Sequence, residues 1–417
     1  MKLLPAGLAA ALVALTGATG AEARWSAPQS VPAPRAGPTA VGVNSGGDAA
    51  VAWATRSSSF RTSVYVAVRR NGDRPRRHRV WSSRRYRTAD ISVVIDRRRR
   101  VTVAWAGTRR GAQRQTLRAA YSTSGGRWSR VRVVGHAAIL ENLPPDRFPR
   151  LAVARDGRVL LAWDQAGGPR VVWRSPGRPF GKPRRLSGAP RSPIGPIPAF
   201  DAAGSAYISG KCSGSVFRTR PDRRRFGRPI AVAPGGALDF TLALSGRGQG
   251  LAGWIDGACT TSEGAGDTPG PVFASLLRDG TFQAPVSLSP AGTAAYRATA
   301  VADPIGGGIV SWGDPQLGTF SAIVLRAGRL EETARLITDG VVPVAADAGG
   351  NQVFTRAVPF PPPALPSVFY VRPVAGGADE PAPVQSGEYA VAVPTGSGVA
   401  LAWATGRRVN LSVWRPG

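Results

Sequence analysis

The sequence predicts an all-β chain made of about eight repeats, each containing four short strands. Three observations predict it. A strand that ends in Ala-Trp or a substitute recurs about every 50 residues, each such strand follows a turn rich in Asp, Asn or Gly, and the 52 glycines and 37 prolines separate short apolar runs. The hydrophobic content of 43% excludes a chain that is disordered throughout.

The second strand of each repeat is the easiest to locate. Its end is occupied by Trp53, Trp105, Trp163, Trp254, Trp312 and Trp403, and by Ile208 and Phe354 in the two repeats that lack tryptophan. Repeats of this length with four strands are typical of β-propeller blades.

The other elements follow in a regular order. Turns such as Asp156-Gly precede the second strand, because Asp accepts main-chain hydrogen bonds and Gly adopts positive φ. The third strand alternates polar and apolar residues, as between Ser63 and Arg69. The fourth strand follows an aromatic-x-x-Pro motif, as at Phe180 and Phe226, and proline is tolerated there because the strand lies at the sheet edge.

The two ends of the chain complement each other. The segment from Trp25 to Val31 carries the fourth-strand motif with no first three strands before it, whereas the last repeat has three strands and no fourth. We therefore predict a single β-propeller of about eight blades, with seven as the alternative, in which the N-terminal strand completes the C-terminal blade.

These hairpins, Trp-ended strands and Trp/Phe-x-x-Pro turns resemble those of sialidase-like and related bacterial secreted propellers over essentially the whole chain after residue 23. The resemblance implies the fold. The sialidase Asp-box is absent, since its nearest counterpart, Ser122 to Trp128, is one residue short and has Ser124 in place of the aspartate. Arg147-Phe-Pro149 is a distant counterpart of the sialidase Arg-Ile-Pro.

Residues 1–23 predict a signal peptide, with Lys2, an apolar run from Leu8 to Leu15 and cleavage after Ala23. Residues 24–417 then form the propeller domain, secreted to the exterior or the periplasm. No later stretch has the roughly 18 apolar residues that a membrane helix needs. An oxidising compartment permits a disulfide between Cys212 and Cys259, with two free thiols as the alternative.

The formal net charge of +29 is unevenly distributed. Residues 1–230 carry 43 basic and 11 acidic groups, net +32, and residues 231–417 carry 11 and 14, net −3. Arginine clusters, such as those in residues 74–79 and 97–100, mostly fall at predicted turns.

From this positive charge we predict a binding or scaffold module for an anionic extracellular polysaccharide or cell-envelope polymer. The alternative is a basic surface without a specific partner, and nucleic acid is not the expected partner of an exported protein.

A ligand site is expected where the first strands of the blades begin. Asp90, Asp239, Glu388 and Tyr389 are the candidate catalytic residues. The candidate ligand-binding arginines, which could clamp the carboxylate of an anionic sugar, are Arg87, Arg147, Arg150 and Arg297.

These residues leave three functions open. The preferred one is a noncatalytic binding module, in which the same groups are ordinary ion pairs. A sialidase-like hydrolase is the second. The third is a protein-interaction platform that uses the loops Ile255 to Pro271 and Pro359 to Pro366.

The sequence predicts no cofactor and no transition-metal site, since His78 and His136 lack partners at ligand spacing. Calcium at the Asp/Gly turns is an open alternative, although one carboxylate per turn is few for that ion. There is no Gly-x-Ser-x-Gly nucleophile elbow to support serine catalysis. We expect a monomer.

Overall fold

A computed structural model of the chain describes residues 24–33, 36–56, 61–70, 73–109, 112, 114–123, 126–138, 149–190, 194–210, 212–245, 249–257, 270–289, 292–302, 308–314, 319–326, 329–330, 335–337, 341–346, 352–356, 368–372, 380–381, 388–395, 398–405 and 408–415. The predicted signal peptide, the loop Pro359 to Pro366 and most of the loop Ile255 to Pro271 lie outside these residues.

The described residues form antiparallel sheets, which we number I to VIII. Sheet I contains β3 (Ala36–Val43), β4 (Ala49–Arg56), β5 (Thr62–Arg69) and β6 (Arg76–Ser83). Sheet II contains β7 (Tyr86–Ile95), β8 (Val101–Arg109), β9 (Arg114–Tyr121) and β10 (Arg132–Ala138). Sheet III contains β11 (Arg150–Val153), β12 (Val159–Trp163), β13 (Arg170–Arg174) and β14 (Arg184–Arg185). Sheet IV contains β15 (Pro196–Phe200), β16 (Ala206–Gly210), β17 (Ser213–Thr219) and β18 (Ile230–Ala231).

The same order recurs in the rest of the chain. Sheet V contains β19 (Leu238–Leu244), β20 (Gly250–Ile255), β21 (Val272–Arg278), β22 (Thr281–Phe282) and β23 (Val286–Ser287). Sheet VI contains β24 (Tyr296–Ala302), β25 (Gly308–Asp314), β26 (Thr319–Arg326), β27 (Arg329–Leu330) and β28 (Arg335–Ile337). Sheet VII contains β29 (Val341–Ala346), β30 (Gln352–Arg356), β31 (Val368–Arg372) and β32 (Glu380–Pro381). Sheet VIII contains β33 (Glu388–Thr395), β34 (Gly398–Thr405) and β35 (Arg408–Arg415), which pairs with β1 (Arg24–Trp25) and β2 (Gln29–Pro32).

The predicted all-β class is confirmed, and the described residues contain no helix. No helix in that part of the chain is therefore long and apolar enough to span a membrane. Four-stranded antiparallel sheets that repeat along the chain and pack side by side are typical of a β-propeller.

The second strands are apolar throughout because neighbouring sheets cover both of their faces. In β8 every residue from Val101 to Gly107 is buried. The six tryptophans predicted at this position are at most 4% exposed. Apolar clusters also join sheets, as where Val64 and Val66 of sheet I pack with Val93 and Trp105 of sheet II. The core therefore lies between sheets.

The fourth strands have a different character. In β6 the side chains of Arg76, Arg77 and Arg79 are exposed, because this strand is an outer edge with solvent along one side. The sequence places most of the arginine clusters at turns, whereas this part of the 74–79 cluster lies in a strand. An exposed edge strand that contains several charged residues has an amino-acid composition similar to that of a turn.

The first strands pack against one another in chain order, from β3 against β7 through to β29 against β33, and β33 also packs against β3. On the outer side of sheet VIII, Trp25 pairs with Trp414 and Val31 pairs with Val409. Ser412 Oγ donates to the main-chain oxygen of Ser26 at 2.6 Å. The segment around Trp25 thus lies in one sheet with the last repeat.

Candidate functional site

Six of the first strands, all except β11 and β15, have an irregular register with the second strand. In sheets I, V, VI and VIII two residues of the first strand face one residue of the second strand, and the bulged pairs are 37–38, 239–240, 297–298 and 389–390. In sheets II and VII the pairing register between the first and second strands shifts by one residue, at Ala89 in β7 and at Val344 in β29. Bulges re-aim the residues that they contain and are common beside functional sites.

Three of the candidate site residues occupy the same position in this repeated bulge. Asp239, Arg297 and Tyr389 each stand first in the bulged pair of their strand. Asp239 has φ of 46°, a left-handed conformation that the buried neighbours Leu238 and Phe240 hold in place. These three residues therefore have equivalent backbone positions near the beginning of their strands.

Asp90 follows the bulge of β7 and is partly buried. Its Oδ2 atom is buried without a hydrogen-bond partner among the described residues. Burial raises the pKa of Asp90 from 3.8 to about 7, and the positive charge of Arg150 partly opposes the increase. Asp90 is therefore a carboxyl group that changes charge close to neutral pH.

Arg150 is the first residue of β11 in the adjacent sheet, and its side chain is exposed. The main-chain N–H of Leu151 donates to Ser92 Oγ at 3.1 Å, which ties β11 to β7 beside Asp90. Asp90 and Arg150 are thus two candidate site residues that the structure brings close enough to interact electrostatically.

The remaining candidates are placed individually. Arg87 is exposed on β7 opposite Thr108. Glu388 begins β33 opposite Ala404, and Arg297 lies on β24. Arg147 lies outside the described residues.

The opposite rim is formed by the turns between first and second strands, where the carboxylates are bound by the protein itself. Asp96 Oδ1 accepts from the main-chain N–H groups of Arg98 and Arg100, both at 2.9 Å, and its Oδ2 accepts from Arg100 Nε at 2.6 Å. Asn44 Nδ2 donates to the Asp96 main-chain oxygen at 2.9 Å and joins two neighbouring sheets. These turn residues stabilise the fold.

No group of three or more His, Cys, Asp or Glu side chains that could hold a metal ion occurs in the described part of the chain.

Arginines divide into two structural classes that the sequence does not separate. Arg174 is 1% exposed, donates to Thr102 Oγ1 at 2.8 Å and lies 4.8 Å from the Tyr121 ring centre. Burial lowers the pKa of Arg174 to about 10, and repulsion from Arg100 adds to the decrease. Arg118 is also buried, and its guanidinium lies 3.8 Å from the Tyr86 ring centre. These arginines are packing residues.

The second class is exposed on sheets I to IV. Its members include Arg76, Arg79, Arg84, Arg130, Arg184 and Arg225. None of these six forms an ion pair within the described residues. Their charge is therefore available to an external anion.

Cys212 follows β16, and its main-chain N–H donates to the Ile194 main-chain oxygen at 3.3 Å. Cys259 lies outside the described residues, so the predicted bridge stays a prediction.

No protein-family profile matches the chain, and no curated protein matches it. Among solved structures, a lectin of Burkholderia pseudomallei is 14% identical with a TM-score of 0.46, over 91% of this chain and 98% of that chain. An α-L-arabinofuranosidase of Fusarium graminearum is 11% identical with a TM-score of 0.43, over 94% and 98%. The β-propeller domain of a Pyrococcus furiosus protease is 9% identical with a TM-score of 0.46, over 92% and 94%. Similarities at this level assign no activity to the chain.

Proposed function

We propose that the chain is an exported, eight-bladed β-propeller that binds an anionic polysaccharide or cell-envelope polymer through the arginine-rich sheets I to IV. The observation that carries the proposal is the set of exposed arginines on these sheets that have no carboxylate partner among the described residues. Unpaired guanidinium groups bind carboxylate and sulfate groups through paired hydrogen bonds, and many together create a long-range attraction for a polyanion.

Binding is tested with the purified protein, a carboxylated polysaccharide, a sulfated polysaccharide and a neutral dextran. We expect both anionic polymers to bind at 50 mM salt, and their affinity to fall by a factor of about 10 or more at 500 mM, because salt screens exposed charges. The neutral polymer is the control. Equal binding of all three, or binding of none, would show that the arginine surface does not select anions.

The closed ring is the structural part of this proposal. Two observations support it: β33 packs against β3, and β1 and β2 pair with β35. Eight sheets each containing at least four strands would then be eight blades, joined by a sheet built from both ends of the chain.

A cysteine cross-link tests the closure. Ser30 pairs with Asn410, and Ser30 Oγ lies 2.6 Å from Asn410 Oδ1. In the double variant Ser30→Cys, Asn410→Cys, we expect oxidation to join the tryptic peptides that contain the two residues. Ser30→Cys with Arg408→Cys, a mismatched pair, should cross-link much less. Equal yields from both pairs would contradict the register.

Export and the disulfide belong to the same proposal. We expect protein recovered outside the cytoplasm to begin at Arg24, with Cys212 joined to Cys259. The absence of a free cysteine among the described residues supports the bridge. Intact-mass measurement of the exported protein tests both points.

A sialidase-like hydrolase is the second candidate function, and the observation that favours it is Asp90. A carboxyl group with a raised pKa beside an arginine has the properties of a general acid. Such an enzyme also needs a second carboxylate at roughly 5 to 9.5 Å. Among the described residues no carboxylate acts on the pKa of Asp90. Glycosidase activity that disappears in Asp90→Asn would establish this function in place of simple binding.

A further inference from the structure

A cavity of about 60 Å³ lies in the groove between sheets I and II, on the rim opposite the strand starts. Three turns surround it: the turn between β5 and β6, the turn between β7 and β8, and the turn between β9 and β10. The volume is several times the roughly 15 Å³ that one water needs, so it accommodates a carboxylate or sulfate group but not a whole oligosaccharide.

The lining of the cavity consists largely of hydrogen-bond donors. Arg70, Arg74 and Arg76 contribute guanidinium groups, and none of them forms an ion pair within the described residues. Asp73 is the one carboxylate among the lining residues. Arginine has donors and no acceptor, so this lining matches a ligand group that has only acceptors.

Arg99 contributes a fourth guanidinium from an unusual backbone position. It has φ of 62°, whereas the equivalent turns of sheets I, III and IV place Gly47, Gly157 and Gly204 there, with φ between 77° and 85°. In all four turns the residue donates its N–H to the main-chain oxygen three residues earlier.

Because a left-handed conformation is unfavourable for any residue with a Cβ atom, the arginine costs stability that glycine would not. Arg99 Nε donates to Asp48 at 3.0 Å, yet 52% of its side chain stays exposed at the cavity. The pair with the buried carboxylate of Asp48 uses one edge of the guanidinium, and the exposed part of the side chain lines the cavity.

One wall of the cavity is aromatic. Trp128 and His78 both line it, and their ring centres are 6.3 Å apart with the planes tilted by 50°. An indole is a rigid apolar surface that packs well against the C–H face of a sugar ring. The anionic group would then enter among the arginines while the ring that carries it rests at the aromatic wall.

We propose that this groove is a binding site for a sulfate or carboxylate group carried by a saccharide, with Arg70, Arg74, Arg76 and Arg99 as the anion ligands and Trp128 as the wall for the sugar ring. The site rests on the proposed function, since it is the place on the arginine-rich surface where one anionic residue of the polymer is recognised.

The strongest test is Arg99→Gly, because this variant restores the residue found in the three equivalent turns. We expect its affinity for a sulfated oligosaccharide to fall about tenfold, since a charge-assisted pair is lost. Its melting temperature should fall by a few degrees, because relief of the backbone strain only partly offsets loss of a donor to the buried carboxylate of Asp48, to which Asn44 Nδ2 still donates at 3.0 Å. Binding is therefore measured well below that temperature. Arg98→Ala is the matched control: it removes an exposed arginine of the same turn that does not line the cavity.

Arg74→Ala is the second variant, with Arg184→Ala on sheet III as its control. The proposal requires that Arg99→Gly and Arg74→Ala each weaken binding more than the controls do. If all four variants lose the same small factor, the surface acts only through its total charge. The site is then wrong, while the proposed function stands.

Two further probes identify the ligand class. Inorganic sulfate at 10 mM, compared with sodium chloride of equal ionic strength, should raise the melting temperature of wild type but not of Arg99→Gly. Binding of free sulfate without any binding of anionic polysaccharide would overturn both the saccharide carrier and the proposed function. A single-stranded oligonucleotide that binds more tightly than the sulfated oligosaccharide, and depends equally on Arg99, would overturn the saccharide in favour of nucleic acid.

Discussion

Sheets I to IV and sheets V to VIII repeat the same strand order, yet the two parts of the chain have very different net charges. Residues 1–230 carry a net charge of +32, and residues 231–417 carry −3. Both parts bury a tryptophan at the end of the second strand, as Trp105 and Trp254 show. The apolar repeat is therefore sufficient for the sheets, and the exposed arginines are not needed to form them.

This difference in net charge points to the exposed arginines as the feature most relevant to function. A charge that the fold does not require, on sheets whose counterparts lack it, must be explained by something other than folding. Buried arginines such as Arg174 belong to the fold, because their guanidinium groups pack on aromatic rings. The exposed arginines of sheets I to IV are accessible to a partner.

The largest expected effect concerns the shared core. Trp105→Ala in sheet II and Trp254→Ala in sheet V should each lower the free energy of unfolding by about 3 to 5 kcal/mol, because each leaves a large cavity. Trp105 packs 5.7 Å from the Trp81 ring centre, and Trp254 packs 5.9 Å from that of Phe273. Chemical denaturation measures both. A loss confined to one of the two would show that the two parts are not equivalent in packing.

A covalent link between the two parts is the next largest effect. If Cys212 and Cys259 are bridged, reduction should destabilise the protein by about 3 to 4 kcal/mol, because the bridge closes a loop of nearly 50 residues. Thiol titration of the unfolded protein without reductant should find no reactive thiol. Two reactive thiols would show that the parts are joined only by packing.

Asp90 gives the arginine-rich part a dependence on pH. Its pKa in the folded protein, about 7, lies above the ordinary value of 3.8, so the native state holds a proton that the unfolded state loses. Stability should therefore fall as pH rises from about 4 to about 7, by about 2 to 4 kcal/mol.

Asp90→Asn should remove this fall and be more stable than wild type at pH 8, which denaturation at pH 5 and pH 8 would measure. Asp222→Asn, at an exposed aspartate, is the control. A variant that follows the wild-type pH curve would show that another group is responsible.

The smallest expected effect concerns the turn between the first and second strands of sheet III, which packs against the equivalent turn of sheet II. Gly157→Ala should destabilise by about 1 to 2 kcal/mol, because φ is 85° and the new Cβ would meet Arg100 and Asp96 of the adjacent turn. Gly177→Ala is the matched control: it has φ of 69° and open space around the added atom, so it reports the backbone strain alone. Equal losses would show that the contact between turns contributes nothing.

Much of this organisation was accessible without coordinates. The Trp-ended strands, the Asp/Gly turns and the fourth-strand motif at Trp25 predicted the four-stranded repeat, because burial and turn geometry restrict residue types strongly. The grouping of Asp239, Arg297 and Tyr389 near strand starts was also predicted, but the bulge that they share was not, since a bulge depends on the register between two strands. The groove lined by Arg99 and Trp128 was missed, although an arginine in place of a turn glycine was a visible signal.

The sequence by itself determined the all-β class, the repeat and the asymmetry of charge, because these depend on local patterns of apolar residues, turn residues and arginines. Only the tertiary structure decided which arginines are buried against rings and which stay exposed, since burial depends on neighbouring sheets that are distant in the chain. It also brought Asp90 beside Arg150 across two sheets and joined three separate turns around one cavity. Contacts of this kind arise from packing between repeats, and no pattern within a single repeat contains them.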